Sequence, residues 1–531
     1  MKKQIKIALV VVLFSFGSMA QEYSVDWGSL EKSTGRLINI IPRDANDFFA
    51  LRQSGRGGLF SSLEVSSHKE LGLVHEGKLE LKAPNGSPST YEGSTIVGDH
   101  FVVFLSDKQD GENLFFMQEY GSDLAPKSEP VELASYSIED KKRRFQGTFS
   151  IVQSQDREHF AVMWTIPGRR EEHATYGFKV FDASLEEKTS GEYEVPFQDK
   201  FSSISEFYLS DSGDLFVNIT EYKESEDKKL LRSPLNYEAV HIYHINSEGQ
   251  EEMVIDLDGK RVEAMSINSD NNKVFVITGI YGKRDAVGIN GLFYLKADFK
   301  SQEILAEGFE EFGEDFITQD WSDRQKKKVD NKRAKGKDVQ ANLFNYVMRE
   351  VHPLPDGSMV GSMEQYYVRV VTRTDPRTGA TTTTYYYYYN DIVAYKVSAD
   401  GGFEWLAKID KYQVSTNDGG YFSSYARFVD GNKLCFFFND NSKNYDETSD
   451  EYSITDYQPA AAKLSRKLNT VAICTVDLET GEMKRKMFFA REELGAIAVP
   501  KKFNVDYRNN ELLLYAIRGS KEQFGILNFG E

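Results

Sequence analysis

The sequence predicts an all-β chain folded as a single β-propeller of eight blades. Three observations lead there: a strand-turn-strand pattern recurs eight times; its strands are apolar on both faces; and the 531 residues include 29 Tyr and 36 Phe. Strands covered on both sides are what neighbouring sheets packed radially around an axis require, and large aromatic side chains fill the wide gaps between such sheets.

In chain order, residues 1–20 come first. Lys2, Lys3 and Lys6 precede the apolar run Ile7 to Phe16, and Ser18-Met19-Ala20 places small residues at a cleavage point. This pattern predicts a secretory signal peptide and an exported protein, periplasmic or extracellular and soluble after cleavage. The apolar run is shorter than the roughly 20 residues a spanning helix needs, so no membrane span is expected. Removing the three leader lysines takes the formal charge from −18 to −21, which disfavours nucleic acid as a partner.

Residues 21–531 are expected to form the propeller. The apolar runs begin at Phe48 (FFAL), Phe101 (FVVFL), Phe160 (FAVMW), Leu215 (LFVNI), Val274 (VFVIT), Met359 (MVGSM), Leu434 (LCFFF) and Leu512 (LLLYAI). Each follows a turn rich in Asp, Asn or Gly, residues that tolerate the positive φ of tight hairpins. Each reads as the first strand of a repeat and has a partner strand, among them His241 to Ile245, Leu292 to Leu295 and Ile392 to Tyr395. The spacings are 53, 59, 55, 59, 85, 75 and 78 residues, leaving room for four short strands each and for insertions near 309–343, 372–384 and 439–469. The last repeat supplies three strands, near Phe503 to Tyr507, Leu512 to Ile517 and Gln523 to Phe529. The spare segment Glu22 to Trp27 is expected to complete that blade and hide its edge. A seven-bladed ring, or two stacked propeller or sandwich domains, are the competing architectures.

Around Trp405 the runs LPDGSMVGSMEQYY, DIVAYKVSADGGFEWLAKIDKYQ and GGYFSSYARFVDGNKLCFFFND resemble a group of uncharacterised exported proteins of Bacteroidetes-type bacteria. The resemblance covers Phe344 to Asp440. It implies a propeller of the WD40 or quinoprotein-like type and export, and no activity. The Gly-His and Trp-Asp pairs of WD40 repeats do not recur, and LSDSGDLF at Leu209 to Phe216 reads as a hairpin turn.

Hydrolase and nucleotide-binding signatures are absent, and no cofactor is expected. His241 and His244 fall on opposite faces of a strand, so no metal site is expected. In the acidic loop Asn439 to Asp456 the EF-hand order is not met; a polar rim loop is the preferred reading, with calcium on Asp440, Asp446, Glu447, Asp450 and Glu451 the alternative.

Cys435 and Cys474 flank that loop. Pairing Asn439 with Thr470 would set the two cysteines opposite each other, so a cross-strand disulfide is possible; two buried free thiols are the preferred reading. Arg324 to Lys337 holds eight basic residues and one acid, read as a mobile basic loop after a helical excursion around Phe309, Phe312, Phe316 and Trp321. A solvated insertion is the preferred reading there, with docking of Lys326, Lys327 and Lys328 to an acidic partner the alternative.

TTTTYYYYYND faces EQYYVRVVTRT in a long hairpin. If Thr374 pairs with Thr381, one face carries Tyr366, Val368, Val370, Tyr385, Tyr387 and Tyr389, expected to pack on a neighbouring blade. The other carries Tyr367, Arg369, Arg373, Tyr386 and Tyr388, a candidate surface for a sugar, peptide or protein. The functional expectation is an exported, non-catalytic binding or scaffold propeller with a protein, peptide or glycan ligand. The alternative is a glycan- or peptide-processing enzyme with an acidic site in the central channel; a structural-assembly role comes third. Oligomeric state is left open.

Overall fold

The apolar runs carry backbone N–H and C=O groups that must be paired once buried, and they are paired in eight antiparallel sheets. The computed structural model describes residues 23–54, 62–138, 142–169, 171–269, 274–284, 286–319, 321–335, 343–454 and 458–530; the leader-like residues 1–20 lie outside these. Blades 1 to 7 cover residues 36–79, 90–137, 148–198, 202–255, 260–311, 346–416 and 425–490, and blade 8 is built on 497–528. This is the eight-bladed β-propeller.

The runs that stand out in the sequence are the second strands of the blades rather than the first. Asp47–Ser54, Leu215–Tyr222, Lys433–Asn441 and Glu511–Arg518 are examples. Their alternate side chains enter different inter-blade layers. Leu434, Phe436 and Phe438 pack toward blade 6, while Cys435 and Phe437 pack toward blade 8. The true first strands, such as Thr90–Val97 and Ser202–Leu209, are half exposed and less apolar because they line the channel. Equivalent layers join every consecutive pair of blades, and Phe48, Ala50, Leu513, Tyr515 and Phe524 join blade 8 to blade 1.

The N-terminal segment closes the ring as the missing fourth strand implies. Asp26 and Trp27 pair with Ile526 and Gly525, and Glu31 and Lys32 with Glu522 and Lys521. Gly525 is needed there: a Cβ at this position would sit 2.9 Å from Trp27 Cε3.

Beside this seam lies a buried polar network. Arg52 Nε of blade 1 donates to Glu522 Oε1 of blade 8 at 2.5 Å, Tyr515 Oη donates to Glu522 Oε2 at 2.8 Å, and Arg52 Nη1 donates to Ser66 Oγ at 2.7 Å. Ser66 Oγ and His68 Nε2 are 2.8 Å apart, and the His68 ring stacks on Phe48. Burial, then the Arg52 guanidinium, pushes His68 down to about 4 from its ordinary 6.5. The unfolded chain therefore binds a proton between those values that the folded chain does not. The His68 contribution to stability is present above pH 6.5 and lost as pH falls to about 4, by about 3 kcal/mol. Urea denaturation across that range should show the loss, and His68→Phe should remove this component of it.

Four further expectations are corrected. Asn439 pairs with Val471, not Thr470, so Cys435 faces Thr475 and Cys474 faces Phe436. That one-residue slip puts the cysteines on opposite faces of the sheet. Both are free, and burial pushes both thiols up to about 12, which leaves them unreactive. The described part of the basic segment is not a loop. Asp323–Arg333 is a helix with Lys326, Lys327 and Lys328 exposed, pinned by the Arg333 guanidinium on the Glu314 carboxylate at 2.6 and 3.0 Å. The helical excursion before it is one short helix, Glu314–Thr318; Phe309 belongs instead to the outermost strand of blade 5. The hairpin register is as expected, Thr374 opposite Thr381, but its Val368, Val370 and Tyr385 are exposed rather than packed on a blade. Strands of 16 and 17 residues outrun the sheet and project beyond the ring. Among the described residues no helix is long and apolar enough to cross a membrane.

Candidate functional site: a basic cavity on the propeller axis

The first strands of blades 6, 7 and 8, Tyr346–Pro353, Tyr425–Asp430 and Asn504–Asp506, bound a cavity of ≈ 1020 Å³. Gln155 of blade 3 lines it from across the ring, four blade positions from blade 7. The turn carrying Gln155 restricts the channel further. Arg157, at φ +65°, reaches past blade 2 to donate from Nη1 to the Pro42 carbonyl of blade 1 at 3.0 Å, and its own carbonyl accepts from Gly98 N.

Local sequence determines what the strands present. On Tyr425–Asp430, Ala426 and Phe428 face blade 8, so Arg427 shares the face of Tyr425 and Val429 toward blade 6. On Tyr346–Pro353 the register shifts between Met348 and Val351, so Arg349 and Glu350 sit on a β-bulge, a device that re-aims side chains. Similar shifts occur in the first strands of blades 1, 2, 4 and 5.

Arg427 is the unusual group. Its side chain is 1% exposed, its Nη2 stands 3.6 Å from Glu350 Oε1, and none of its three guanidinium nitrogens makes a hydrogen bond to a described residue. Taking a charge out of water without hydrogen bonds is costly, so such groups are paired in almost every fold. Burial, then Arg427, holds the nearby His352 below its ordinary value.

Arg349, by contrast, is held in place. Its Nε donates to Glu364 Oε2 at 3.0 Å, and the same oxygen accepts from Ser424 Oγ at 2.8 Å. Lys411 Nζ donates to Glu364 Oε1 at 2.8 Å and to the Tyr389 carbonyl at 2.9 Å. Glu364 and Lys411 are fully buried. Burial opposes ionisation of Glu364, but Lys411 and Arg349 outweigh it and hold the carboxyl below the usual range. Lys501 completes the rim, with Nζ 3.3 Å from Tyr389 Oη and 4.9 Å from its ring centre.

The lining thus carries three cations, Arg349, Arg427 and Lys501, against one carboxylate, Glu350, in a chain of formal charge −18. Tyr366, Tyr389, Tyr425, Phe503 and Tyr507 supply aromatic walls. A second concavity of ≈ 1000 Å³ between blades 1, 2 and 8 has mixed charge, with the Arg43–Asp47 ion pair inside it.

The residues marked in the sequence lie elsewhere. Tyr367 and Tyr388 stack at 4.5 Å, Arg369 is opposite Tyr386 and Arg373 opposite Thr382, all on the hairpin face turned away from Tyr366 and Tyr389. Lys326, Lys327 and Lys328 line no part of the cavity. Sequence reasoning missed Arg349, Glu350, Arg427 and Lys501. The available signal was a charge inside an apolar run: Arg427 in YARFV, and Glu364, which orients Arg349, in MVGSMEQYY.

No family model matches the sequence, and no curated protein matches it. Among solved structures, the chain is similar to the WD40 domain of SCAP from fission yeast, at 9% identity and a TM-score of 0.39, covering 96% of this chain and 95% of that one. It is similar to the polysaccharide lyase Uly1 at 10% identity and 0.35, covering 96% and 93%. It is also similar to an apocarotenoid oxygenase of Synechocystis at 9% and 0.33, covering 88% and 94%. At such scores the likeness carries no argument about the site.

Proposed function

We propose that this chain is an exported, non-catalytic binding propeller whose axial cavity takes an anionic ligand. The observation that carries the reading is Arg427, a buried guanidinium lining the cavity with no hydrogen-bond partner among the described residues. An anion that accepts from it supplies the bonds the fold leaves unmade, and a carboxylate or phosphate matches the planar donor fork. Arg349 and Lys501 add charge of the same sign at the rim. Export rests on the leader-like residues 1–20. The enzymatic alternative is the weaker reading. General acid–base work on a glycosidic bond takes two carboxyl groups, and the lining offers Glu350 alone; Glu364 lies behind the lining and is paired with Lys411 and Arg349.

Calorimetric titration with citrate, glucuronate and inorganic phosphate tests this. The wild type should bind at least one of them, and Arg427→Met should weaken binding about 10- to 100-fold, the loss expected for a charged hydrogen-bonding partner. Lys328→Glu, on the exposed helix, should bind as the wild type does. A wild type that ignores all three anions, or an Arg427→Met variant with unchanged affinity, would overturn the reading.

A further inference from the structure

The aromatic wall of the cavity does not stop at its mouth. Tyr366 and Tyr389, whose rings lie 4.7 Å apart, form the base of the long hairpin and line the cavity. Beyond them the same face continues as the cross-strand pairs Val368 with Tyr387 and Val370 with Tyr385. Here the face is left open: Val368 is 38%, Tyr385 44% and Val370 54% exposed. The strand Gln413–Thr416 pairs with Tyr386 to Tyr389 and widens this part of the sheet to three strands. The result is one surface that begins among Arg349, Arg427 and Lys501 and runs outward over aromatic and β-branched side chains.

A small anion would use only the inner end. An extended ligand with an anionic group at one end and flat, partly apolar units along its length would use all of it. Chains of acidic sugars have that chemistry. Their uronate units carry a carboxylate, and the C–H face of a pyranose stacks on a tyrosine ring whose hydroxyl stays hydrated. At Tyr386 to Tyr389 the surface presents a sheet face rather than a strand edge, because that edge is already taken by Gln413–Thr416, and stacking on a ring face is how a pyranose would use it.

Resting on the anion-binding reading above, we propose that the ligand is a uronate-bearing oligosaccharide. One carboxylate is held by Arg427 and Arg349, and the following sugars lie along the Tyr366–Tyr389 to Val370–Tyr385 face.

The test is calorimetry on the full chain with oligogalacturonates, oligomannuronates and hyaluronan fragments of increasing length, beside neutral maltooligosaccharides and poly-glutamate. For at least one acidic glycan, affinity should rise about tenfold or more from monomer to hexamer, as stacked aromatic contacts add. Tyr385→Ala/Tyr387→Ala should abolish that rise while leaving monomer affinity unchanged; Tyr385 is exposed and Tyr387 is not part of the buried core, so the variant should fold, which an unchanged circular dichroism spectrum checks. Neutral glycans should not bind. Affinity independent of length, an unchanged double variant, or tighter binding of poly-glutamate would overturn the glycan assignment and leave the anion site standing. Loss of all anion binding in the wild type would instead overturn the anion-binding reading.

Discussion

Glu364→Leu should lower the unfolding free energy by about 3–5 kcal/mol, the cost of leaving a buried charge without its partner. The stranded group is the Lys411 ammonium, whose remaining contacts are the neutral Tyr389 carbonyl and Gln413 Oε1. Burial already pushes Lys411 below the usual lysine range, and removing its strongest counter-charge pushes it further. This sets a pH signature. The folded variant favours neutral Lys411 while the unfolded chain stays protonated up to about pH 10, so stability should climb back as pH rises into that range. The wild type should not show this climb to the same extent. Glu364→Leu/Lys411→Met replaces both charges by apolar groups and should recover most of the loss. Chemical denaturation of the three proteins at several pH values measures all of this. A Glu364→Leu loss below about 1 kcal/mol, no more than an exposed ion pair contributes, would mean that the carboxylate is not supporting Lys411.

The second large effect is expected at the seam that closes the ring. Arg52→Met leaves the Glu522 carboxylate, buried between blades 8 and 1, with Tyr515 Oη as its remaining partner. The expected destabilisation is again about 3–5 kcal/mol. Its location matters more than its size. Among the described residues, backbone pairing of the N-terminal segment with blade 8 is confined to the short stretch Asp26 to Ser33, so the ring there depends on side-chain packing and this ion pair. Amide hydrogen exchange in Arg52→Met should therefore accelerate first in Lys521–Asn528 and Asp47–Ser54, before the middle blades. Glu80→Gln at the exposed Lys82 pair should leave stability unchanged within error. Uniform acceleration around the ring would show that the seam is no weaker than other blade contacts.

The features that depend on local pattern were legible in the amino-acid order alone. Eight apolar runs bounded by Asx- and Gly-rich turns mark the second strands, and their partners mark the third, because both are covered on two sides and must be apolar throughout. The missing fourth strand of the last repeat was likewise legible, since an unpaired edge demands a partner. The hairpin register followed from a short turn that leaves little choice. The cysteine register did not: a long loop lies between its strands, and a slip of one residue moved Cys435 and Cys474 to opposite faces.

The position of the candidate site follows from ring closure and not from any local stretch of residues. Arg349, Arg427 and Lys501 come from three blades, and nothing in the residues beside each of them encodes their meeting. They converge because ring closure brings first strands together at the axis, and those strands, half exposed, carry the weakest sequence pattern. The hairpin's orientation was settled in the same way. Alternation assigned its two faces correctly, but strand length, which carries it past the edge of the blade, left Val368, Val370 and Tyr385 open beside the cavity mouth.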